Sequence, residues 1–380
     1  MKKYIFLLTI LLISTLGFTY GREDAIIEGR GELHIIYKEE GRINAISRLT
    51  SGDILDTTFV LSGNNPSFCY ISNDKGKGIR FRFKLHGEIA KREVEKEEKI
   101  LVISDLHGRL DAFVAFMKGN KVIDDEFNWI FGKNRLIIIG DAFDRGVDDN
   151  GILWLIYKLE EEAETAGGRI DFILGNHEDL VLKGDFRYVH KSHLAFSEKT
   201  GLTYNDLYSS NTVLGRWLRS KPLIITVGTD LFVHAGISPV LVDNNYTIKE
   251  INKLSNDYFG YPTKKKNKLH PRNELLFGSD GALWYRGLVV DTEKYKAISG
   301  PELKRVLKYF NVKRIIVGHS EVDDIELRYN GKVIAVNVRH YNNYKADKSA
   351  GLLIIRNNIY VVNYSGKQQL IVINKVNNKK

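Results

Sequence analysis

The chain has 380 residues, of which 43% are hydrophobic and 27% are charged, a balance that excludes a disordered or fibrous protein and allows a sizeable buried core. The net charge of +9 attracts anionic partners in general, but it identifies no fold or site by itself. The single cysteine, Cys69, excludes an intrachain disulfide and a zinc site built from cysteines.

The first 21 residues are typical of a secretory signal peptide. Lys2 and Lys3 precede an apolar run that is shorter than the roughly 20 residues needed to cross a bilayer. Gly17 and Gly21 are candidate cleavage points. We therefore predict that residues 1–21 are removed during export to the periplasm or out of the cell, and that no stable membrane anchor is left. Loss of the two lysines would lower the net charge from +9 to +7.

Residues 22–95 have a strand-like pattern. Apolar side chains alternate from Leu33 to Tyr37 and from Phe81 to Leu85, which predicts several short antiparallel strands. No catalytic constellation occurs here, so the region either pads a larger sheet or forms a small domain of its own. The mixed-charge segment 91–99 is typical of a solvated connector and marks the boundary to the next region.

Residues 96–367 alternate between short apolar strands and amphipathic helices. Apolar residues recur at helical spacing from Leu110 to Met117, and similar patterns predict helices near residues 150–166 and 303–310. This alternation predicts a parallel-rich sheet with helices outside it, and ligands bind beyond the carboxyl ends of the strands in such sheets. We interpret residues 368–380 as a basic C-terminal tail.

Five predicted strands each end in residues that can bind a metal ion. In chain order these are Asp105 and His107, Asp141, Asn176, His234, and His319. Two divalent cations about 4 Å apart repel each other, so a carboxylate must bridge them while imidazole and amide groups complete each shell. Asp141 is the natural bridge, Asp105 and His107 would hold the first metal, and the other three would hold the second. Each motif alone is weak, but five in this order predict a dinuclear metal site.

The same motifs resemble those of the calcineurin-like metallophosphoesterases and, within them, the phosphoprotein phosphatase family. They read Asp105-x-His107-Gly108, Gly140-Asp141-x-x-Asp144-Arg145-Gly146, Gly175-Asn176-His177-Glu178, His234-Ala235-Gly236 and Gly318-His319. Segments 217–222 and 283–287 are similar to those of the bacterial-type branch, the Shewanella-like protein phosphatases. The resemblance implies a four-layer α/β fold, in which a central β-sandwich of mixed sheets is flanked by helices and residues 22–95 form a β-rich extension.

The resemblance also implies a reaction and residue roles. Hydroxide made available by metal coordination would attack a phosphate monoester in line, with His177 as general acid held by Asp144. Arg145 and Arg286 would bind the phosphate oxygens. The substrate would be a phosphoprotein or a small phosphomonoester. Two Mn²⁺ ions are the expected cofactors, and Fe or Zn would suit the same ligands. Glu178 is expected to support the ligands.

Three departures from the family pattern leave the preferred phosphoamino acid open. Ser104 stands where these phosphatases usually have Gly, Ala235 replaces the first Gly of their His-Gly-Gly, and a C-terminal Ser-Ala-Pro-Asn-Tyr segment is absent from the sequence. Gly318-His319-Ser320 lacks the second histidine found in many phosphodiesterases of the superfamily, which favours a monoesterase.

Two alternatives stay open at this point. The first is an exported nucleotide or dinucleotide phosphohydrolase, for which residues 195–221 would supply a base pocket. The second is a binding protein that kept the fold but lost the catalytic activity. We favour it less, because every predicted metal ligand is present. The lysine-rich segment 264–268 is interpreted as a solvated loop, with capture of anionic substrates as the alternative. No basic stripe interleaved with aromatics suggests a nucleic-acid partner, and the sequence leaves the oligomeric state open.

Overall fold

The computed structural model describes residues 26–61, 66–73, 78–86, 99–356 and 358–372. The predicted signal peptide lies outside these ranges, as does almost all of the predicted connector at 91–99. Within the described ranges, every helix is too short or too polar to cross a lipid bilayer.

Six strands make up the N-terminal region. They are β1 (Ile26–Arg30), β2 (Leu33–Tyr37), β3 (Arg42–Arg48), β4 (Ile54–Val60), β5 (Ser67–Ile71) and β6 (Arg80–Lys84). β2, β3 and β4 form one antiparallel sheet, and a second sheet has the order β1-β5-β6. The prediction of antiparallel strands is wrong for one pair, because β1 runs parallel to β5. Alternation of side chains defines the faces of a strand but carries no information about the direction of its partner.

The N-terminal region shares a hydrophobic core with the rest of the chain. The rings of Phe83 and Trp154 stack with their centroids 4.5 Å apart, and the indole N–H of Trp154 donates to the carbonyl oxygen of Leu33 at 2.8 Å. Ile27 and Phe68 belong to the same buried cluster as Trp154. Cys69 is fully buried, as expected of a small hydrophobe. The region therefore packs onto the larger one rather than standing apart from it.

Strands and helices alternate through the first part of the larger region. They are β7 (Lys99–Ser104), α1 (Leu110–Gly119), β8 (Arg135–Ile139), α2 (Asp149–Thr165), β9 (Arg169–Ile173) and α3 (Asn176–Leu182). The middle part contains α4 (Lys191–Thr200), a single 3-10 turn (Asp206–Tyr208), α5 (Val213–Arg219), β10 (Ile224–Val227), β11 (Asp230–Val233), α6 (Pro239–Asp243), α7 (Ile248–Tyr258), α8 (Thr263–Leu269) and α9 (Arg272–Leu276). The last part contains α10 (Gly300–Tyr309), β12 (Arg314–Val317), β13 (Glu326–Arg328), β14 (Val333–Ala335), α11 (His340–Ala346), β15 (Ser349–Ile355), β16 (Asn358–Asn363) and β17 (Gln368–Val372).

Two mixed sheets form the centre of this region. One has the order β17-β16-β15-β7-β8-β9 and the other β10-β11-β12-β14-β13. Side chains of both sheets, including Ile137, Phe232, Ile316 and Leu352, form a buried cluster between them. This arrangement confirms the predicted α/β fold, with a sandwich of mixed sheets, flanking helices and a β-rich N-terminal extension. The sheet continues through β17, five residues into the segment interpreted as a tail.

The predicted amphipathic helices follow their apolar patterns. In α10, Ser299 is the N-cap and its hydroxyl accepts the backbone N–H of Glu302, while Leu303, Val306 and Leu307 are buried. The apolar spacing sets the buried face of the helix, and the cap satisfies a backbone donor that has no partner within the helix.

The lysine-rich segment differs from its predicted loop. Residues 263–269 form α8, and Lys266 is completely buried, with its Nζ 2.7 Å from Oδ1 of Asp179 in α3. The Lys266 ammonium also lies over the Phe277 ring. The interpretation as a solvated loop is therefore wrong, because one lysine of the run is drawn inward by a buried carboxylate that the local sequence does not reveal.

Candidate active site

The polar residues that follow the strands of the two central sheets lie close together. Because β7, β8 and β9 are parallel neighbours, their carboxyl ends lie at the same edge of the first sheet. β11 and β12 are likewise parallel neighbours in the second sheet. The residues that follow these five strands form what we call the ligand cluster: Asp105, His107, Asp141, Asn176, His234 and His319. All of them are buried except His107, which is partly exposed.

Asp141 lies at the centre of the ligand cluster. Its Oδ2 is 3.3 Å from Nε2 of His234, 3.8 Å from Nε2 of His177 and 3.9 Å from Nε2 of His107. Two groups of side chains place their ligand atoms within 4.8 Å of one another, and both groups include Asp141: one with His107 and His177, the other with His234 and His319. With His177 set aside, Asp141 is still shared by His107 and by the group of His234 and His319, which is the arrangement that a bridging ligand requires.

Asp105 and Asn176 contact the ligand cluster in other ways. The Asp105 carboxylate accepts the backbone N–H of His319 at 3.1 Å and the hydroxyl of Ser104, and it belongs to neither of the two groups around Asp141. Oδ1 of Asn176 lies 2.9 Å from Nε2 of His234. The structure thus brings all six predicted ligands together, and it groups His107 with Asp141 and His177 rather than with Asp105.

The donor set fits divalent cations. Burial lowers the pKa of His107 to about 3 and holds the pKa of His319 well below its usual range, which leaves both as the neutral imidazoles that bind metal ions. Among the described residues, Nε2 of the buried His319 has no hydrogen-bond partner. Burial also opposes ionisation of Asp141, yet the His234 and His177 imidazoles outweigh it and keep the Asp141 pKa well below its usual range. Nitrogen and oxygen ligands of this kind suit Mn, Fe and Zn.

His177 forms a tight pair with Asp144. Its Nδ1 lies 2.5 Å from Oδ2 of Asp144, which is completely buried, and its backbone N–H donates to Oδ1 of Asp141 at 3.0 Å. Burial alone would lower the pKa of His177, but the charge of Asp141 and the hydrogen bond to Asp144 reverse that effect and raise it. An imidazole that keeps its proton near neutral pH is suited to donate it.

The two predicted phosphate-binding arginines lie beside different parts of the ligand cluster. Arg145 is exposed, and its charge contributes to lowering the pKa of His107, after burial and the neighbouring His177. Arg286 acts in the same direction on His319, after burial and His234, and its Nη1 lies 3.3 Å from the hydroxyl of Ser320. A cleft of about 570 Å³ opens beside Arg145 and is also lined by Asp105 and His107.

The backbone of the site is held in an uncommon conformation. Six of its residues have left-handed φ angles: Asp105 (52°), His107 (44°), Asp141 (55°), Asp144 (73°), Arg145 (68°) and His319 (59°). Such angles are uncommon for residues other than glycine, although Asp and His adopt them more readily than most, and the surrounding structure helps to enforce them here. Part of that enforcement is close packing, because a Cβ on Gly175 would lie 2.2 Å from Oδ1 of Asp141.

Glu178 supports the loop that carries Asp141. Its buried carboxylate accepts the backbone N–H groups of Asp141 at 2.9 Å, Ala142 at 2.8 Å and Gly175 at 2.6 Å. Two of these donors belong to the loop after β8 and one to the loop after β9. Glu178 therefore fastens the two loops to each other, the supporting position that the sequence predicts.

His340 is a buried neighbour of the site that the sequence did not indicate. Its Nε2 lies 2.6 Å from the carbonyl oxygen of Ser104, and its Nδ1 lies 2.6 Å from the hydroxyl of Tyr364. Burial lowers its pKa to about 4, so it is neutral and links β7 to the end of β16. His340 belongs to none of the motifs, and a lone histidine at the start of a short helix carries no signal of this contact.

Comparisons with known proteins agree with this arrangement. A family model described as calcineurin-like phosphoesterase matches residues 98–323. The chain is 28% identical over 227 residues to Shewanella-like protein phosphatase 1 of Plasmodium berghei, covering 58% of this chain and 61% of that protein. It is 41% identical over 107 residues to Shewanella-like protein phosphatase 2 of Arabidopsis thaliana, covering 28% of this chain and 27% of that protein. The matches span less than two thirds of the length of these two relatives.

A solved structure is similar over most of the chain. The crystal structure of a cold-active protein-tyrosine phosphatase from a psychrophilic Shewanella species is 30% identical and has a TM-score of 0.77, covering 90% of this chain and 99% of that chain. The likeness therefore includes the N-terminal strands as well as the central sandwich.

Proposed function

Because the chain belongs to the calcineurin-like phosphoesterase family, we propose that it is a metal-dependent phosphatase that hydrolyses phosphate monoesters, phosphorylated protein side chains among them. The names of its relatives support a protein phosphatase, since they include Shewanella-like protein phosphatases and a protein-tyrosine phosphatase. The ligand cluster would hold two divalent ions, for which Mn²⁺ is our first choice and Fe or Zn the alternatives.

One observation carries this proposal. Asp141 is shared by His107 and by the group of His234 and His319, and the His177–Asp144 pair lies beside it. A single metal site or a binding protein would not need a buried carboxylate between two histidine groups together with a histidine poised to give up a proton. Phosphoryl transfer needs both features, because charge must be offset on the phosphate and a proton must reach the departing oxygen.

The side chains have separate tasks in this reaction. The metal ions, when bound, would lower the pKa of water and offset the negative charge of the phosphate. Arg145 and Arg286 bind the non-bridging oxygens with their guanidinium groups. His177 donates its proton to the leaving-group oxygen as the P–O bond breaks, and Asp144 keeps the ring oriented through Nδ1. Water adds to phosphorus, so the products are inorganic phosphate and the alcohol.

We also propose that the protein is exported. The support is the signal-like sequence of residues 1–21, with two lysines ahead of a short apolar run. The phosphorylated substrate would then be met in the periplasm or outside the cell. Fractionation of cells that express the full chain, with N-terminal sequencing of the product, tests this: protein retained in the cytoplasm with Lys2 and Lys3 intact would contradict it.

A substrate panel tests the proposed activity. The purified chain, supplied with Mn²⁺, is offered phosphotyrosine, phosphoserine and phosphothreonine peptides, nucleotides, a dinucleotide and an aryl phosphodiester. We expect turnover of monoesters, with phosphopeptides preferred. Asp141→Asn and His177→Ala should each lower kcat by at least about 100-fold, a loss in the range attributed to acid catalysis and metal binding.

The matched controls are Asp257→Asn and His270→Ala. Asp257 forms an exposed pair with Lys253, and His270 is a partly buried histidine away from the cleft. Both should keep wild-type rates. Preference for the dinucleotide or the diester would overturn the proposed substrate class. Wild-type rates in Asp141→Asn would overturn the proposal that this site catalyses the reaction.

A further inference from the structure

The N-terminal region places a carboxylate deep inside the molecule. Glu32, between β1 and β2, is completely buried, and its two oxygens contact two histidines. Oε2 lies 2.8 Å from Nε2 of His34, and Oε1 is hydrogen-bonded to Nδ1 of His193 in α4. Burial opposes the ionisation of Glu32, but the His193 and His34 imidazoles outweigh it and lower its pKa to about 2. A carboxylate is seldom this buried unless it is paired.

His193 connects this carboxylate to a second one. Its Nε2 lies 3.8 Å from Oδ2 of Asp149, the first residue of α2, and both side chains are buried. Burial works against the positive form of His193, yet the charges of Glu32 and Asp149 raise its pKa to about 9. We call Glu32, His34, His193 and Asp149 the support cluster. Its members come from three separate segments of the chain, and none of them lines the cleft.

The support cluster ends at the partner of His177. Oδ2 of Asp149 accepts the backbone N–H of Asp144 at 2.9 Å, and Asp144 has a left-handed φ of 73°. Asp144 in turn holds Nδ1 of His177 at 2.5 Å. This conformation is uncommon even for aspartate, so the hydrogen bond from the Asp144 backbone N–H to Asp149 helps to fix the Asp144 backbone and with it the position of the carboxylate.

We propose that Glu32 and His193 are positioning residues, which fix Asp149 so that Asp149 fixes Asp144 and thereby the proton-donating ring of His177. The N-terminal region is then a working part of the catalytic apparatus. This inference rests on the proposed phosphatase activity with His177 as proton donor. The route runs through four contacts, from Glu32 to His193, to Asp149, to Asp144 and finally to His177.

Leaving-group dependence separates this role from a merely structural one. A phosphate ester with a poor leaving group needs the proton from His177, whereas a strongly activated aryl ester departs without it. A displaced His177 therefore slows the first kind of substrate selectively. General loss of folding, or of metal, slows both kinds alike.

The test compares Glu32→Gln with Glu28→Gln in the full chain at saturating Mn²⁺. Glu28 lies on the same N-terminal region, but it forms a half-exposed pair with Arg80 and takes no part in the support cluster. For Glu32→Gln we expect kcat to fall about tenfold with phenyl phosphate and less than about twofold with 2,4-dinitrophenyl phosphate, a fraction of the full general-acid contribution. Glu28→Gln should match wild type with both. Asp144→Asn should show the same selectivity as Glu32→Gln, to a larger degree.

Equal loss with both substrates, or no loss with either, would overturn the positioning role. Should Glu32→Gln fail to fold, Glu32→Asp keeps the charge and moves it, and the same selectivity is expected. An independent readout is the NMR chemical shift of the imidazole N–H proton of His177, measured in metal-free protein with isotope-labelled histidine. The signal is assigned by its absence in His177→Asn. The shift of this proton should change in Glu32→Gln and not in Glu28→Gln, and an unchanged shift would also overturn the inference. If wild type hydrolyses neither ester, the proposed function has failed instead.

Discussion

The ligand cluster and the support cluster are both buried and polar, yet they differ in their access to the cleft and in their charges. The ligand cluster reaches the cleft through Asp105 and His107, and among the described residues it leaves Nε2 of His319 without a hydrogen-bond partner. No member of the support cluster lines the cleft, although Nε2 of His193 and Oδ1 of Asp149 also have no hydrogen-bond partner among the described residues. Glu32 and His193 offset each other's charge, while burial raises the pKa of Asp149 to about 7. An added cation would complete the first arrangement, whereas the second already holds an ion pair of its own.

The two clusters meet at Asp144, so its removal should have the largest effect. Asp144→Asn keeps the size of the side chain but removes the carboxylate that, after Asp141, raises the pKa of His177 and that orients its ring. We expect kcat for a phosphate monoester with a poor leaving group to fall about 100- to 1,000-fold, within the range of general acid catalysis. Steady-state kinetics at saturating Mn²⁺ measure this. If kcat falls less than about tenfold, the Asp144–His177 pair does not connect the support cluster to the ligand cluster.

The next largest effect concerns metal and stability. Mn²⁺ at a hundredfold excess over its Kd should stabilise the wild type by about 2.7 kcal/mol, which raises the melting temperature by several degrees. Glu32→Gln should show the same increase from its own starting temperature, because the support cluster holds no metal. In Asp141→Asn, Mn²⁺ should raise the melting temperature very little. Calorimetry with and without EDTA measures these shifts, and an equal increase in Asp141→Asn would break the distinction between the clusters.

The smallest effect is the response of stability to pH. Glu32 has its pKa lowered to about 2, so its contribution is present above about 4.5 and is lost as the pH falls toward 2. His193 has its pKa raised to about 9, so its contribution is present below about 6.5 and is lost as the pH rises through 9. His193 faces Glu32, Asp149 and Asp148, with His190 nearby on its own segment.

A combined variant isolates this response. Burial raises the pKa of Asp149 to about 7, so Asp149 titrates in the same range as His193 and has to be removed with it. The free energy of unfolding of Glu32→Gln with His193→Gln and Asp149→Asn should fall by about 1–2 kcal/mol less than that of the wild type between pH 6.5 and pH 9, because the groups that titrate there are gone. Urea unfolding at several pH values measures the difference. Glu28→Gln, with its half-exposed ion pair, should follow the wild-type curve. Parallel curves for the combined variant and the wild type would show that the support cluster does not hold its charges as described.

The ligand cluster could be predicted from sequence because its information is local. Each ligand follows an apolar run directly, so a strand and the chemistry at its end are read together, as with Asp141 after β8 and His319 after β12. The order of the five motifs then implies one site. Asp144, His177 and Glu178 follow the same logic, since each lies within a few residues of a strand end.

The support cluster could not be predicted because its information is not local. Glu32 and His193 are 161 residues apart, and neither lies in a motif. An aspartate at the start of α2 reads as an ordinary helix terminus, so nothing in the sequence connects Asp149 to Asp144. The burial of Lys266 is hidden from the sequence for the same reason, since its partner Asp179 is 87 residues away. Buried ion pairs are defined by the tertiary fold, which local composition does not encode.

The six left-handed residues of the site have a consequence for how this protein could change. Each holds a conformation that costs an ordinary residue with a side chain about 1–2 kcal/mol relative to glycine, and costs aspartate less. A glycine at any of these positions would relax the backbone and remove the functional group at the same time. The protein is therefore less stable than its own fold permits, and variants selected only for heat resistance should accumulate at these loops and lose activity as they do.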